Sequence, residues 1–306
     1  MKLLLSAAVA FVAALVLTGA ALAKSHPHGT TLSLYERTAS PSLLARQGCA
    51  AARRGERGVV VLDFGKPAFG GRGRGKGYGT IDFADRFISN HQITVGMLGW
   101  ARGYVRCLPA HSKASVTLAR GTSNYHLSVP SAFVAGKRWA GSVLALLRKL
   151  HRHKLNAHVK SAAADDAEPA WDRGFRQTHR FIHGFRTFAL RRTLYDYGSL
   201  DGGVGSIWSA RQMVYVTGGA GRTAVLPEIY YPSLAREWAE FAHIAHRRFH
   251  RRVHFAGVMT QVLPGCRPSR CGLRPQAAHR ALVHALARVN TGRTPVPQGG
   301  TNIIRG

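Results

Sequence analysis

The sequence predicts an α/β protein whose parallel strands close into a (β/α)8 TIM-like barrel with one degenerate crossover. Short apolar runs alternate with helix-like stretches along the chain, the signature of strands joined by helical crossovers. About 245 residues, at about 30 per strand–helix unit, suit eight such units. A doubly wound open sheet is the competing architecture. Composition allows a folded core: of 306 residues, 45% are apolar.

The chain opens with Lys2, an apolar run from Leu3 to Leu17, and Ala21-Leu22-Ala23, which reads as a signal peptide over residues 1–23. Residues 24–45 are polar and read as a flexible mature N-terminal segment, leaving 46–306 for the barrel. The protein is therefore expected to be secreted or cell-wall associated. No transmembrane segment is expected after signal cleavage, because no later run is long and apolar enough to span a bilayer. Export places the four cysteines in an oxidising compartment. Of the three possible pairings, Cys49–Cys107 with Cys266–Cys271 is preferred, the second closing a small loop around Arg-Pro-Ser-Arg.

The strands expected in order are Gly58–Asp63, Ser115–Ala119, Asn156–Lys160, Thr193–Tyr195, Met213–Val216, Ala224–Leu226 and His254–Met259. Gly58-Val-Val-Val-Leu-Asp63 has the continuous apolar character of a strand buried on both faces. An eighth strand is expected from Thr301–Ile304. Helices are expected over Gln92–Arg106, Gly136–His153, Gly174–Leu190, Ser233–His250 and Pro275–Val289. The strands at Met213–Val216 and Ala224–Leu226 leave no room for a helix between them, hence the degenerate crossover. Phe69–Gly79, rich in glycine and arginine, reads as a solvated basic loop. Its Gly70–Lys76 matches a phosphate-binding loop in spacing only, since Gly77 stands where a Ser or Thr should bind magnesium and no helix opens there.

Charge is lopsided: 43 Lys+Arg against 14 Asp+Glu give a formal +29, with 16 His besides. The scarce acids are therefore informative. Asp63, Asp165, Asp166, Glu168, Asp196, Asp201 and Glu228, seven of the fourteen, lie at or just beyond expected strand C-termini. In an α/β barrel those ends form one rim, where active sites are built. Each acid singly could instead pair with an arginine or cap a helix, as Asp172 is expected to do. Several carboxylates on one rim, with no free thiol and no metal cage, suit glycoside hydrolysis, in which one protonated acid serves the leaving oxygen and a second group stabilises or attacks the oxocarbenium-like centre. Asp166 and Glu168, two residues apart, share a face if extended, and their proximity raises one pKa. Trp171, Tyr195, Tyr197, Tyr230 and Tyr231 lie near the same ends and could stack on sugar rings.

The runs Val61–Gly65, Gly121–Tyr125, Asp165–Pro169 with Trp171, Tyr195–Ser199, Leu226–Tyr230 and Met259–Gln261 resemble those of a group of secreted bacterial glycoside-hydrolase-like barrel proteins, over Cys49 to about Arg305. More distantly the layout is similar to family 25 lysozymes, which carry an acid on the first strand and an Asp-x-Glu motif on a later one. The resemblance implies that Asp63 is that first-strand acid, that Asp166-Ala-Glu168 is the motif, and that Glu168 donates the proton. With it go Glu228 or Asp63 as the second carboxylate, and Asp165, Asp196, Tyr197, Asp201, Tyr230, Trp171, Asn124 and Gln261 as substrate-binding residues.

Other chemistries fit less well. His246, His250 and His254 recur every four residues, as do His179 and His183, but arginines crowd the first set and no HExxH motif occurs, so no metal or cofactor is expected. Ser199 and Ser206 lack a nucleophile-elbow context. The basic runs Arg53–Arg57, Arg72–Lys76, Arg148–Lys154 and Arg247–Arg252 are dispersed and match no nucleic-acid motif, so no specific nucleic acid is expected. The expected partner is an extracellular polysaccharide or cell-wall polyanion, held by the positive charge in a salt-sensitive way. A barrel that binds such a polymer without turning it over is the alternative to an enzyme.

Overall fold

The computed structural model describes residues 30–70, 77–127, 129–219, 222–263, 272–289 and 294–306. The signal-peptide reading of 1–23 and the Cys266–Cys271 pairing lie outside the described residues.

In chain order the elements are β1 (Thr30–Tyr35), α1 (Pro41–Arg53) and β2 (Gly58–Asp63). An antiparallel meander of β3 (Lys66–Gly70), β4 (Gly77–Ile81) and β5 (Phe87–Ser89) then precedes α2 (Asn90–Arg106). There follow β6 (Val116–Gly121), α3 (Ala132–Arg152), β7 (Val159–Asp165), α4 (Arg176–Ala189) and β8 (Leu194–Asp196). The chain continues through α5 (Ala210–Val214), which runs into a π-helical turn at Tyr215–Gly219, then β9 (Thr223–Val225), α6 (Pro232–Phe249), β10 (Met259–Thr260), α7 (Pro275–Arg288) and β11 (Gly300–Arg305).

Eight of these strands form one parallel sheet in the order β10-β11-β1-β2-β6-β7-β8-β9. The open ends of that order meet. Val225 bridges Phe255, Glu228 bridges Met259, and the Ile229 N–H donates to the Met259 carbonyl at 2.9 Å. The sheet is thus a closed barrel whose strands follow one another in sequence, with helices outside.

Strand alternation divides the apolar residues into two cores. Val61, Ala119, Ala162, Ala164, Leu226, Met259 and Ile303 pack inside the barrel. Their strand neighbours Val60, Leu62, Leu118 and Ala163 face the helices, where Trp100, Trp139 and Trp238 fill the outer layer. Helix starts follow local chemistry: Ser89 and Gln92 form a reciprocal capping box at α2, and Ser131 caps α3.

Three expectations are corrected. Residues 24–45 are not a linker throughout, since Thr30–Tyr35 is a barrel strand and Pro41 begins α1. The strand is inconspicuous because its inward positions carry hydroxyls rather than apolar groups: Ser33 Oγ and Thr301 Oγ1 lie 2.6 Å apart inside the barrel. Met213–Val216 is not a strand. It belongs to α5 and its π-turn, which are themselves the reduced crossover between β8 and β9. The described ends of Phe69–Gly79 are strand rather than loop, because Lys66–Gly70 and Gly77–Ile81 pair with each other; residues 71–76 lie outside the described residues. Cys49 in α1 and Cys107 at the end of α2 form a disulfide, tying two adjacent crossover helices. Among the described residues no helix is long and apolar enough to cross a membrane.

Candidate active site

Asp63, Asp166 and Glu228 each stand two residues beyond an inward-facing core residue: Val61, Ala164 and Leu226 respectively. The two-residue period carries all three side chains to the inside of the barrel at its C-terminal rim. They are 0%, 4% and 6% exposed. Glu168, just beyond β7, turns toward the same point. One carboxylate oxygen from each of Asp166, Glu168 and Glu228 lies within 4.8 Å of the others. Among the described residues this triad could hold a cation; equally, it is an arrangement in which close carboxylates share protons.

Each acid is held by a specific contact. Gly65 adopts φ +83° to turn the chain from β2 into the meander, and a Cβ there would come 2.1 Å from the Ile81 carbonyl. That turn aims the Gly65 N–H at Asp63 Oδ1, 2.8 Å away. The Asp166 N–H donates to the Thr122 carbonyl at 2.7 Å, which fixes the end of β7 against that of β6. The Tyr230 hydroxyl donates to Glu228 Oε1. Asn124 grips the backbone of Glu168 at both its N–H and its carbonyl.

Burial dominates the electrostatics. It pushes Asp63 up to about 6, against the opposing Gly65 N–H and Tyr197 hydroxyl. Glu168 rises to about 7 through burial and then the charge of Asp201, with Ser199 opposing. Glu228 rises to about 8 through burial, although the Tyr230 hydrogen bond favours its charged form. Asp166 is raised well above the carboxylate range by burial and then by Glu228, Glu168, Asp63 and Asp165. Among the described residues the ion pairs are Arg54–Glu56 and Arg86–Asp82, so no described Lys or Arg forms an ion pair with this cluster. Several of its carboxyls therefore carry protons near neutral pH.

The cluster opens into a cleft of about 490 Å³ lined by Asp63 and Asp166 at its floor. Trp171 and Tyr125, in edge-to-face contact at 5.4 Å, form one wall. The meander supplies the other through Ile81, Asp82 and Phe83, with Phe83 against Tyr35 at 4.8 Å. Lys66, Gln261 and Arg305 complete it, Lys66 Nζ standing 5.2 Å from the centre of the Tyr125 ring. Buried acids, exposed aromatic rings and a few cations suit a polar, ring-shaped ligand such as a sugar chain.

The expected site residues divide by position. Asp63, Asp166, Trp171 and Gln261 line the cleft. Glu168 and Glu228 adjoin Asp166. Asp165 and Asp196 do not reach a ligand: strand alternation turns them toward the helix side, where they are 1% and 2% exposed. Burial pushes Asp196 up to about 7, and it raises Asp165 well above its usual range, followed by the charge of Asp196. Tyr197 is a filler of the barrel interior whose hydroxyl donates to the Thr122 carbonyl at 3.2 Å. Asn124 positions Glu168, and Asp201 ties the loop after β8 to the loop after β7, accepting from Ser199 Oγ at 2.7 Å within its own loop and from the Ala170 N–H at 2.6 Å in the other. Tyr230 bonds to Glu228. As expected of a cap, Asp172 Oδ2 accepts from the N–H groups of Gln177 and Thr178 at the start of α4.

Asp63 ends the second barrel strand, so it is not a first-strand acid; the acid that follows β1 is Glu36, which is fully buried. Sequence reasoning missed Glu36, Tyr35, Lys66, Phe83, Tyr125 and Arg305 as neighbours of the site. Alternation in Thr30–Tyr35 could have found the first two. The meander residues gave no comparable signal.

No protein-family model and no curated protein sequence matches the chain. Among solved structures, the chain is similar to the endoglucanase Cel5A of Pseudomonas stutzeri, with 11% identity over 91% of this chain and 86% of that one and a TM-score of 0.43. It is also similar to a β-D-glucuronidase of Dictyoglomus thermophilum, with 10% identity over 91% of this chain and 44% of that one and a TM-score of 0.35.

Proposed function

We propose that the protein hydrolyses glycosidic bonds in an extracellular polysaccharide, with cell-wall glycan as the substrate class. The observation that carries this reading is the convergence of Asp63, Asp166, Glu168 and Glu228 at the head of an aromatic-walled cleft. Glu168, protonated up to about 7, is the proton donor to the leaving oxygen. Asp63, pushed only to about 6, ionises at a lower pH than Glu168 and is the carboxylate that stabilises or attacks the oxocarbenium-like centre. Asp166 lies on the cleft floor in the field of both and keeps its proton, which makes it a hydrogen-bond donor to the bound sugar. Trp171 and Tyr125 stack on sugar rings.

The Cys49–Cys107 disulfide supports a location outside the reducing cytosol. A net charge of +29 supports retention on an anionic wall. A second reading, a barrel that binds polysaccharide without turnover, is favoured by the near-complete burial of the floor carboxylates Asp63 and Asp166 at 0% and 4% exposure.

Release of reducing ends from purified wall glycans, by the protein and by Glu168→Gln, tests the proposal, with binding measured in parallel. Release by the protein and loss of release in the variant are the expected result. Binding without release in either protein would leave the second reading standing.

A further inference from the structure

On the flank of the barrel a second groove, of about 880 Å³, runs between the meander and α3. Its floor on α3 includes the row Lys137, Gly141, Ala145 and Lys149, which recur every four residues, so that each neighbouring pair is on one side of the helix. At 1.5 Å rise per residue the two lysines stand about 18 Å apart along the helix, with small side chains between them. Aromatic rings close the groove on both sides. Phe69 and Tyr78 of the meander meet edge to face at 5.0 Å, and Phe188 of α4 is 49% exposed. Lys137 Nζ lies 5.6 Å from the centre of the Phe188 ring.

The charge of this groove is uncompensated. No Asp or Glu lines it, and neither α3 nor α4 contains one. Among the described residues Lys137, Arg138 and Lys149 take part in no ion pair. Cations separated by a small-residue floor, with exposed rings beside them, complement a chain that carries regularly spaced carboxylates on stackable rings.

The groove and the cleft lie on opposite faces of the same meander strand. Lys66 at the start of β3 lines the cleft, whereas Phe69, three residues along the same strand, lines the groove.

We propose that the groove between the meander and α3 binds a carboxylate-bearing polysaccharide, a polyuronate chain, and holds it beside the cleft. The choice of a glycan over other polyanions rests on the functional reading of the cleft. The groove acts as a holding site: it raises the local concentration of polymer without touching the reacting bond.

The test measures binding apart from turnover. The protein and its Lys137→Gln/Lys149→Gln and Phe188→Ala variants are titrated with polygalacturonate, with the same polymer after reduction of its carboxyl groups, and with single-stranded DNA. Two exposed charge contacts predict about tenfold weaker polygalacturonate binding in the double lysine variant. Phe188→Ala should weaken it several-fold. The reduced polymer should bind poorly to all three proteins, and turnover of short soluble oligosaccharides should be unchanged. Unchanged polygalacturonate affinity in both variants would overturn the proposal, as would equal binding of the reduced polymer. Tighter binding of DNA that the same substitutions abolish would assign the groove to nucleic acid instead. Groove-dependent binding in a protein that never hydrolyses a glycan would sink the cleft reading alone, whereas hydrolysis without groove-dependent binding would sink this one.

Discussion

Asn124 holds Glu168 at two points: its Nδ2 donates to the Glu168 carbonyl at 2.9 Å, and its Oδ1 accepts from the Glu168 N–H at 3.0 Å. The same Nδ2 donates to Thr178 Oγ1 at 3.0 Å, which links the loop after β7 to the first turn of α4. The amide thereby sets the direction from which the Glu168 carboxyl enters the site. Asn124→Ala leaves these buried groups unpaired, at a cost of about 2 kcal/mol. Displacement of a reacting group can lower kcat on the order of 100-fold. Urea denaturation with parallel kinetics checks both effects, and an unaltered kcat would remove Asn124 from the positioning of Glu168.

The rate should follow a narrow bell with pH. Asp63 must be ionised, so activity rises through about 6; Glu168 must be protonated, so activity falls through about 7. The alkaline limb should vanish in Glu168→Gln along with most of the rate. A profile of kcat/KM between pH 4 and 9 checks this, and a flat profile across that interval would contradict the assignment.

Stability should fall as pH rises. Glu36 is raised from 4.5 to about 8 by burial, against the opposing hydrogen bond from Gln47 and with the Asp63 charge adding to the rise. The folded protein therefore keeps this proton where the unfolded chain has lost it. Its stabilising contribution is complete below 4.5 and is lost as pH rises toward about 8. Glu228 acts in the same direction between 4.5 and about 8. The midpoint of thermal unfolding should be at least about 5 °C lower at pH 8 than at pH 5. Glu36→Gln should flatten this slope, and an increase of Tm over the same range would refute the account.

Removing the Cys49–Cys107 bond should destabilise the protein by about 2–5 kcal/mol. The bond spans 58 residues and joins α1 to the end of α2, and its loss releases the chain from β2 through the meander as well. Thermal unfolding of a Cys49→Ser/Cys107→Ser variant measures the effect.

Trp171→Ala should weaken substrate binding more than it slows the chemistry. The ring is half-buried and packs edge to face on Tyr125, so it forms a wall rather than part of the core. The expected change is about a tenfold rise in KM with kcat little altered, in keeping with an aromatic contact worth about 1 kcal/mol or somewhat more. A fall in kcat at constant KM would assign Trp171 to the reacting end of the cleft.

The barrel was legible in the sequence where its interior is apolar. Val61, Ala164 and Leu226 mark inward positions, and the acids two residues later follow from the same alternation. Where the interior is built from hydroxyls, as at Ser33 and Thr301, the hydropathy signal disappears and β1 reads as linker. Met213–Val216 shows the opposite difficulty: a short apolar run does not distinguish strand from helix. The deciding signal lay upstream, in the Ser209–Gln212 capping box that opens α5. Asp165 and Asp196 sit at strand ends as expected, yet position along a strand does not say which face a side chain takes. That depends on the register of the whole barrel.

The meander from Lys66 to Ser89 has a consequence for how the protein could change its substrate range. It lies between β2 and α2, and among the described residues its strands pair with one another and contribute none to the barrel. Lys66, Ile81, Asp82 and Phe83 nevertheless border the cleft, while Phe69 and Tyr78 border the groove. Changes in the exposed part of this segment are thus expected to alter which polymer fits, while the carboxylates, carried by other strands, keep their places.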